Sequence, residues 1–239
     1  MPFLRLSMMM PPGFIPRILA FDTSSVRGSV ALLEGKEMRA EIRLHSVQTH
    51  SEELLCSIDF LLERIRWKLD NLNLVAVGNG PGSFTGIRIG VATALGIAHS
   101  LSIPMVEISG LDALAHQVSH VNGRIAVVTD AHRRQAFYAE YEAKGGRIRP
   151  VQKSVLMDIS ALEHQLRDRH LYLVGDPDIC RLVGSRSSPW PNLVSANLFL
   201  AMEIGRLALG SKRKWRSGAA IMAEPMYIRP PDALKKKNK

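Results

Sequence analysis

Residues 17–25, RILAFDTSS, and residues 124–130, RIAVVTD, set the reading of this chain. Each opens with a short apolar run that ends in a carboxylate, Asp22 or Asp130, and each run has the length of a buried strand rather than of a helix. A similar order of elements follows each. After Asp22, Gly28–Leu33 and Glu37–Leu44 read as strands joined by the turn Glu34-Gly35-Lys36. Ser51–Leu69 places Leu54, Leu55, Ile58, Leu61, Leu62, Ile65 and Leu69 at helical spacing, with Ser51 as N-cap. Leu74–Val77 is a strand, Ile87–Leu101 a helix rich in small residues, Met105–Ile108 a strand and Leu111–His120 a helix. After Asp130, Gln135–Glu142 and Ile148–Lys153 read as strands, Leu162–Arg169 as a helix, Tyr172–Val174 as a strand and Ala196–Leu209 as a helix.

This is a repeat of architecture rather than of residues. It predicts an α/β protein with a duplicated ribonuclease-H-like (actin-like, ASKHA) fold made of two ββαβα-type halves. In that arrangement, shared by actin, Hsp70 and sugar kinases, nucleotide lies between the halves. The expected division is a disordered extension over 1–16, a first half with helices for a partner over 17–115, a shortened second half over 116–230, and a basic tail over 231–239.

Composition bounds the function. Hydrophobic residues make up 46% of the 239 and charged residues 22%, which is ordinary for a chain that buries a sizeable core. No unbroken run of 18 apolar residues occurs, so no membrane-crossing helix is expected. The opening MPFLRLSMMMPPGFIP lacks the long apolar run and small-residue cleavage site of a secretory signal, and Pro11, Pro12 and Pro16 break it. It reads as an extension, or as an upstream start with Met8, Met9 or Met10 as the true one. Cys56 and Cys180 form no CxxC pair, which suits two reduced thiols in a cytoplasmic protein rather than a disulfide or a zinc site. The net charge of +9 suits a polyanionic partner such as RNA. Four of those charges, Lys235, Lys236, Lys237 and Lys239, lie in the tail, where a charge run is also simply well solvated.

The run GPGSFTGIRIG, Gly80–Gly90, is the most distinctive segment. It is not a Walker A loop, because no lysine follows Gly86, and it does not meet the GxGxxG spacing. It is not a nucleophile elbow either, because Phe84 stands where that motif needs serine. Two readings stay open: a tight strand-to-helix turn with close packing, and a docking surface for another protein.

With its flanks, this run resembles the signature of the TsaB (YeaZ) family. RILAFDTSS, IPMVEISGLDAL (103–114), TDAHRRQAFYAEY (129–141) and PMYIR (225–229) resemble further family landmarks in the same order, so the likeness covers about residues 17–230. The resemblance implies a platform without catalytic residues of its own. Such a platform binds and activates a catalytic paralogue, TsaD, which works with the ATPase TsaE in N6-threonylcarbamoylation of adenosine 37 in tRNAs that read ANN codons. It also implies a homodimer when the chain is alone, contact with tRNA through the complex, and no cofactor of its own, ATP and metal being expected in the catalytic partner.

The paralogue's metal-binding HxxxH pair falls, by strand order, on Gly110 and Leu114, neither of which can ligate. A separate pair, His116 and His120, lies six residues later and reads as helix-end histidines rather than as a metal site. Asp22, Thr23 and Ser24 resemble a degenerate nucleotide loop, with a turn-capping role for Asp22 as the alternative. The family pairs through its first two long helices, which puts the partner interface here on Leu54, Ile58, Leu61, Ile65, Gly82, Ser83, Phe84, Thr85, Arg88 and Leu95, with Trp67 as an edge anchor.

Overall fold

The computed structural model describes residues 13–45, 50–167, 170–184, 192–211 and 228. The first half runs β1 (Arg17–Asp22), β2 (Arg27–Glu34), β3 (Glu37–His45), α1 (His50–Arg64), β4 (Leu74–Gly78), α2 (Phe84–Leu101), β5 (Met105–Ile108), α3 (Gly110–Gln117). The second runs β6 (Gly123–Asp130), β7 (Gln135–Lys144), β8 (Arg147–Asp158), α4 (Ile159–Leu166), β9 (Tyr172–Gly175), α5 (Pro177–Gly184), β10 (Leu193–Val194), α6 (Ala201–Gly210). The sheets have the same order, β3-β2-β1-β4-β5 and β8-β7-β6-β9-β10. In each, the first three strands are antiparallel and the rest parallel. The duplicated ribonuclease-H-like fold is therefore present, and the repeat is fuller than the sequence reading, which lacked α5 and β10. These are short, and α5 begins at a proline, so neither carries a long periodic signal.

Both faces of β1 are buried, because each sheet lies between helix layers. α1 and α2 pack on the outer face of the first sheet against Leu19, Phe21, Val30, Leu32, Val75 and Val77. α4 and α5 do the same for the second against Ala126, Val128, Tyr138 and Leu173. Between the sheets lie α3 and α6, which touch each other. These two are exchanged: α3, from the first half, packs on β6 to β9, while α6, from the second, packs on β1, β2, β4 and β5. At Gly205 the approach is so close that an added Cβ would stand 2.6 Å from Leu33 Cδ1.

Several expected boundaries move. α1 ends at Arg64 rather than Leu69, since Arg66 turns left-handed (φ 57°) and Trp67 folds back onto the outer core. Ser51 lies inside α1, which starts at His50, and so is not its N-cap. α2 starts three residues earlier than read, capped by Ser83, whose Oγ accepts from Gly86 N–H at 3.2 Å. α3 stops at Gln117, which leaves His120 beyond it, and α6 starts at Ala201 rather than Ala196. α2 is long and apolar enough by composition to cross a membrane, although a third of it is buried inside the protein. Of the expected extension, residues 13–16 are described, and Pro16 C=O accepts from Gly35 N–H. The lysine tail and most of PMYIR lie outside the described residues.

Candidate functional site

A cleft of about 400 Å³ opens between the halves where the ends of β1, β6 and β9 meet. Each of these ends carries an aspartate that caps the turn after it. Asp22 Oδ1 accepts from Ser24 N–H and Oδ2 from the Ser24 hydroxyl, both at 3.1 Å. Asp130 Oδ1 accepts from His132 N–H at 2.7 Å, and Asp176 Oδ1 from Asp178 N–H at 2.9 Å. These are Asx turns, in which a short carboxylate replaces the backbone acceptor two residues on. Amides that would otherwise be free to face an anion are thereby engaged. Across the mouth, Arg27 Nη1 donates to Asp176 Oδ2 at 3.1 Å. The floor is apolar, made by Leu111, Leu114, Phe137 and Leu200.

The glycine run forms one wall, and its packing explains it. Ser83 N–H donates to Ser24 C=O at 2.7 Å, and Thr23 Oγ1 donates to Gly86 C=O at 2.7 Å. A Cβ on Gly82 would stand 2.1 Å from Ser24 O, one on Gly86 2.0 Å from Thr23 O, and one on Gly90 2.5 Å from Thr23 Oγ1. The 80–90 run is thus glycine-rich because it lies directly on the Asp22-Thr23-Ser24 turn, and the two segments singled out from the sequence are one contact. Gly110 N–H donates to Gly80 C=O at 2.8 Å, which ties the start of α3 to the same loop.

Gly110 and Leu114 are buried in α3, and Leu114 faces the cleft. His116 Nδ1 meets the buried Glu203 of α6, which Arg206 also approaches at 3.7 Å. This is a contact between the two exchanged helices, and His120 stays exposed past the helix end. Among the described residues no three His, Cys, Asp or Glu side chains converge as ligands. Tyr141 donates to Asp112 Oδ1 at 2.8 Å, and burial, then the Asp112 charge, push its phenol far above the ordinary range. Burial, reinforced by Asp176, pushes the Cys180 thiol up to about 12.

The outer helix face corrects the expected interface. Leu54, Ile58 and Leu61 are buried against the sheet, and Ile65 and Leu95 are half-buried. The stripe at i, i+4, i+7 is the regular one and serves the core, whereas Leu55 (54% exposed) and Phe60 (47%) lie off that stripe and point outward. Trp67 is half-buried beneath the Arg17 guanidinium, 4.6 Å from its ring centre. On α2, Ser83, Thr85 and Arg88 are exposed, Gly82 and Phe84 half-buried, and Arg88 lies over the Phe84 ring at 3.7 Å. Gly96 is exposed, and nothing lies within 4 Å of a Cβ placed on it. Sequence reasoning missed Arg27 and Asp176. The signal for Asp176 was the run LVGD, a third short strand followed directly by an aspartate.

Comparison with known proteins adds the following. The family model for tRNA N6-adenosine threonylcarbamoyltransferase, TsaD, matches residues 44–172. The tRNA threonylcarbamoyladenosine biosynthesis protein TsaB of Bacillus subtilis is 36% identical over 134 residues, 56% of this chain and 58% of that protein. Its Escherichia coli counterpart is 35% identical over 128 residues, 53% of this chain and 55% of that protein. The chain thus spans about half the length of the curated relatives it matches. A solved Pseudomonas aeruginosa structure described as similar to the peptidase YEAZ superposes with a TM-score of 0.74 at 25% identity, covering 90% of this chain and all of that one. YeaZ from Pseudomonas aeruginosa superposes at 0.69 with 22% identity, covering 85% of this chain and 96% of that one, a likeness of fold.

Proposed function

This chain belongs to the TsaD family, on its TsaB (YeaZ) branch, and from that premise we propose that it is a platform without catalytic residues of its own. It binds and activates a TsaD-type paralogue, together with a TsaE-type ATPase, for N6-threonylcarbamoylation of adenosine 37 in tRNAs reading ANN codons. ATP and metal belong to the catalytic partner on this reading, and the chain pairs with itself when alone.

The observation that carries the proposal is the outer face of α1 and α2. On α1 Leu55 and Phe60 are exposed, and on the neighbouring α2 Ile89, Leu95 and Ile97 are only half-buried while Ala92 and Gly96 are exposed. Two large exposed hydrophobics beside small and half-buried apolar residues on a pair of neighbouring helices make a surface that a second helix can cover. Gly96 supports the same reading, because the fold does not need a glycine there and a small residue lets a second helix come close. The positions that hold metal in the paralogue are Gly110 and Leu114 here, both engaged in packing.

Reconstitution tests this. The purified chain, a TsaD-type paralogue, a TsaE-type ATPase, the threonylcarbamoyl-AMP synthase, ATP, threonine, bicarbonate and unmodified tRNA are combined, and each is omitted in turn. The expected result is that modified adenosine, read by mass spectrometry, disappears when this chain alone is left out. Equal modification without it would overturn the proposal.

A further inference from the structure

Charge is not spread evenly along this chain. Residues 17–115 carry nine Lys and Arg against eleven Asp and Glu, whereas residues 116–211 carry twelve against nine. The structure shows where part of the surplus sits. In the β7–β8 hairpin Lys144 stands opposite Arg147 and Glu142 opposite Arg149, while Glu142 on its other side faces Arg124 of β6. Directly opposed residues share a face, so Arg124, Lys144, Arg147 and Arg149 form one basic group at the end of the second sheet, all exposed. Neighbouring strands are about 5 Å apart and alternate residues about 7 Å along a strand, so the group is compact.

The equivalent hairpin of the first half is a built-in comparison. There Arg39 meets Glu34 at 3.5 Å and Arg43 meets Glu41 at 2.8 Å. In the second half, Arg124 meets Glu140 at 3.3 Å, while Lys144, Arg147 and Arg149 make no ion pair among the described residues. The two hairpins have the same place in the same topology, so the fold does not require unpaired cations there. Three exposed cations side by side at the end of the sheet present the sign of charge that a phosphodiester backbone attracts.

We infer that the end of the β6–β7–β8 sheet, through Lys144, Arg147 and Arg149, binds the phosphate backbone of RNA. The inference rests on the proposed role in tRNA modification and adds to it a direct contact by this chain. It also has a clear rival, since cations on an edge strand guard against edge-to-edge aggregation. Glutamate at the same positions would guard equally well but would repel phosphate, so charge reversal separates the two.

The test titrates a fluorescently labelled, unmodified tRNA with the full chain, with R147E/R149E and with K235A/K236A/K237A/K239A, at about 50 and about 200 mM salt. Circular dichroism checks the fold, and R147A/R149A replaces the reversed variant if that variant does not fold. The expected result is at least about tenfold weaker binding by R147E/R149E at low salt, with the salt slope reduced by about two phosphate contacts. Binding as tight as that of the unaltered chain, or loss confined to the tail variant, would overturn the inference. The reconstituted reaction keeps this apart from the larger reading. If omission of the chain abolishes modification while R147E/R149E binds tRNA normally, the phosphate contact falls and the platform role stands. If modification needs no chain at all, the platform role falls.

Discussion

Arg27 and Asp176 stand 149 positions apart in sequence and meet at 3.1 Å, joining the start of β2 to the turn after β9 across the mouth of the cleft. Both are largely shielded from water, with side chains 28% and 11% exposed. Asp176 has a second task, since its other oxygen caps the α5 turn at Asp178. Arg27→Ala should therefore lower stability by about 1 kcal/mol and Asp176→Ala by more, because the latter also removes a cap. Urea unfolding of the two variants and of the double variant checks this. A coupling energy near zero would show that the pair does not hold the halves together.

Glycines in α2 should divide sharply by position. Gly86→Ala and Gly90→Ala drive a Cβ into Thr23 and should each destabilise by about 2 kcal/mol or more. Gly96→Ala meets nothing and should stabilise by up to about 1 kcal/mol through helix propensity. Thermal unfolding of the three variants would show opposite signs, and equal losses at all three would contradict the packing described here.

The outer helix face should be separable from the fold. Leu55→Glu, Phe60→Glu and Gly96→Trp alter exposed positions, so each should leave thermal stability within about 0.5 kcal/mol of the unaltered chain. Each should weaken binding to a TsaD-type partner at least about tenfold, read by titration calorimetry, and should shift self-association in light scattering toward the monomer. Leu54→Glu, by contrast, should unfold the protein, because that residue is 1% exposed and packs on the sheet.

The two cysteines should behave differently. Cys56 is exposed and Cys180 buried, so a thiol reagent at mildly alkaline pH should label one thiol per folded chain and two after unfolding. Cys180 also affects alkaline stability. Its folded pKa of about 12 lies above the ordinary 9.0, so between those values the unfolded chain has lost a proton that the folded chain keeps. Its contribution is full below about pH 9 and is lost as pH rises toward 12. Tyr141 acts in the same direction. Cys180→Ala should flatten the fall in stability over that window, as measured by urea midpoints at successive pH values.

How far the sequence disclosed all this depends on the kind of signal. The two strands ending at Asp22 and Asp130, and the order of elements after each, were legible because buried strands are unbroken apolar runs and β-hairpins carry their turn residues with them. The unusual character of Gly80–Gly90 was legible too, but its cause was not. The partner of Gly86 and Gly90 is Thr23, over sixty positions away, and no local pattern names it. The facing of α1 was misread for a related reason. Apolar spacing shows that a helix has an apolar stripe and a few apolar residues beside it, but which of them meets the sheet depends on where the sheet is. The exchange of α3 and α6 was invisible, since each helix follows in chain order the half that it does not cover.

That exchange sets a schedule for synthesis. The strands of the first sheet are complete once Ile108 has been made, yet the helix that covers their inner face ends at Gly210, about a hundred residues later. At about 5–20 residues per second on the ribosome, Ile18, Ala20, Ala31 and Leu33 wait roughly 5 to 20 seconds for their lid. For that interval the emerging first half is a sticky, half-finished surface, and a chaperone that shields apolar strands would find its substrate there rather than in the finished protein.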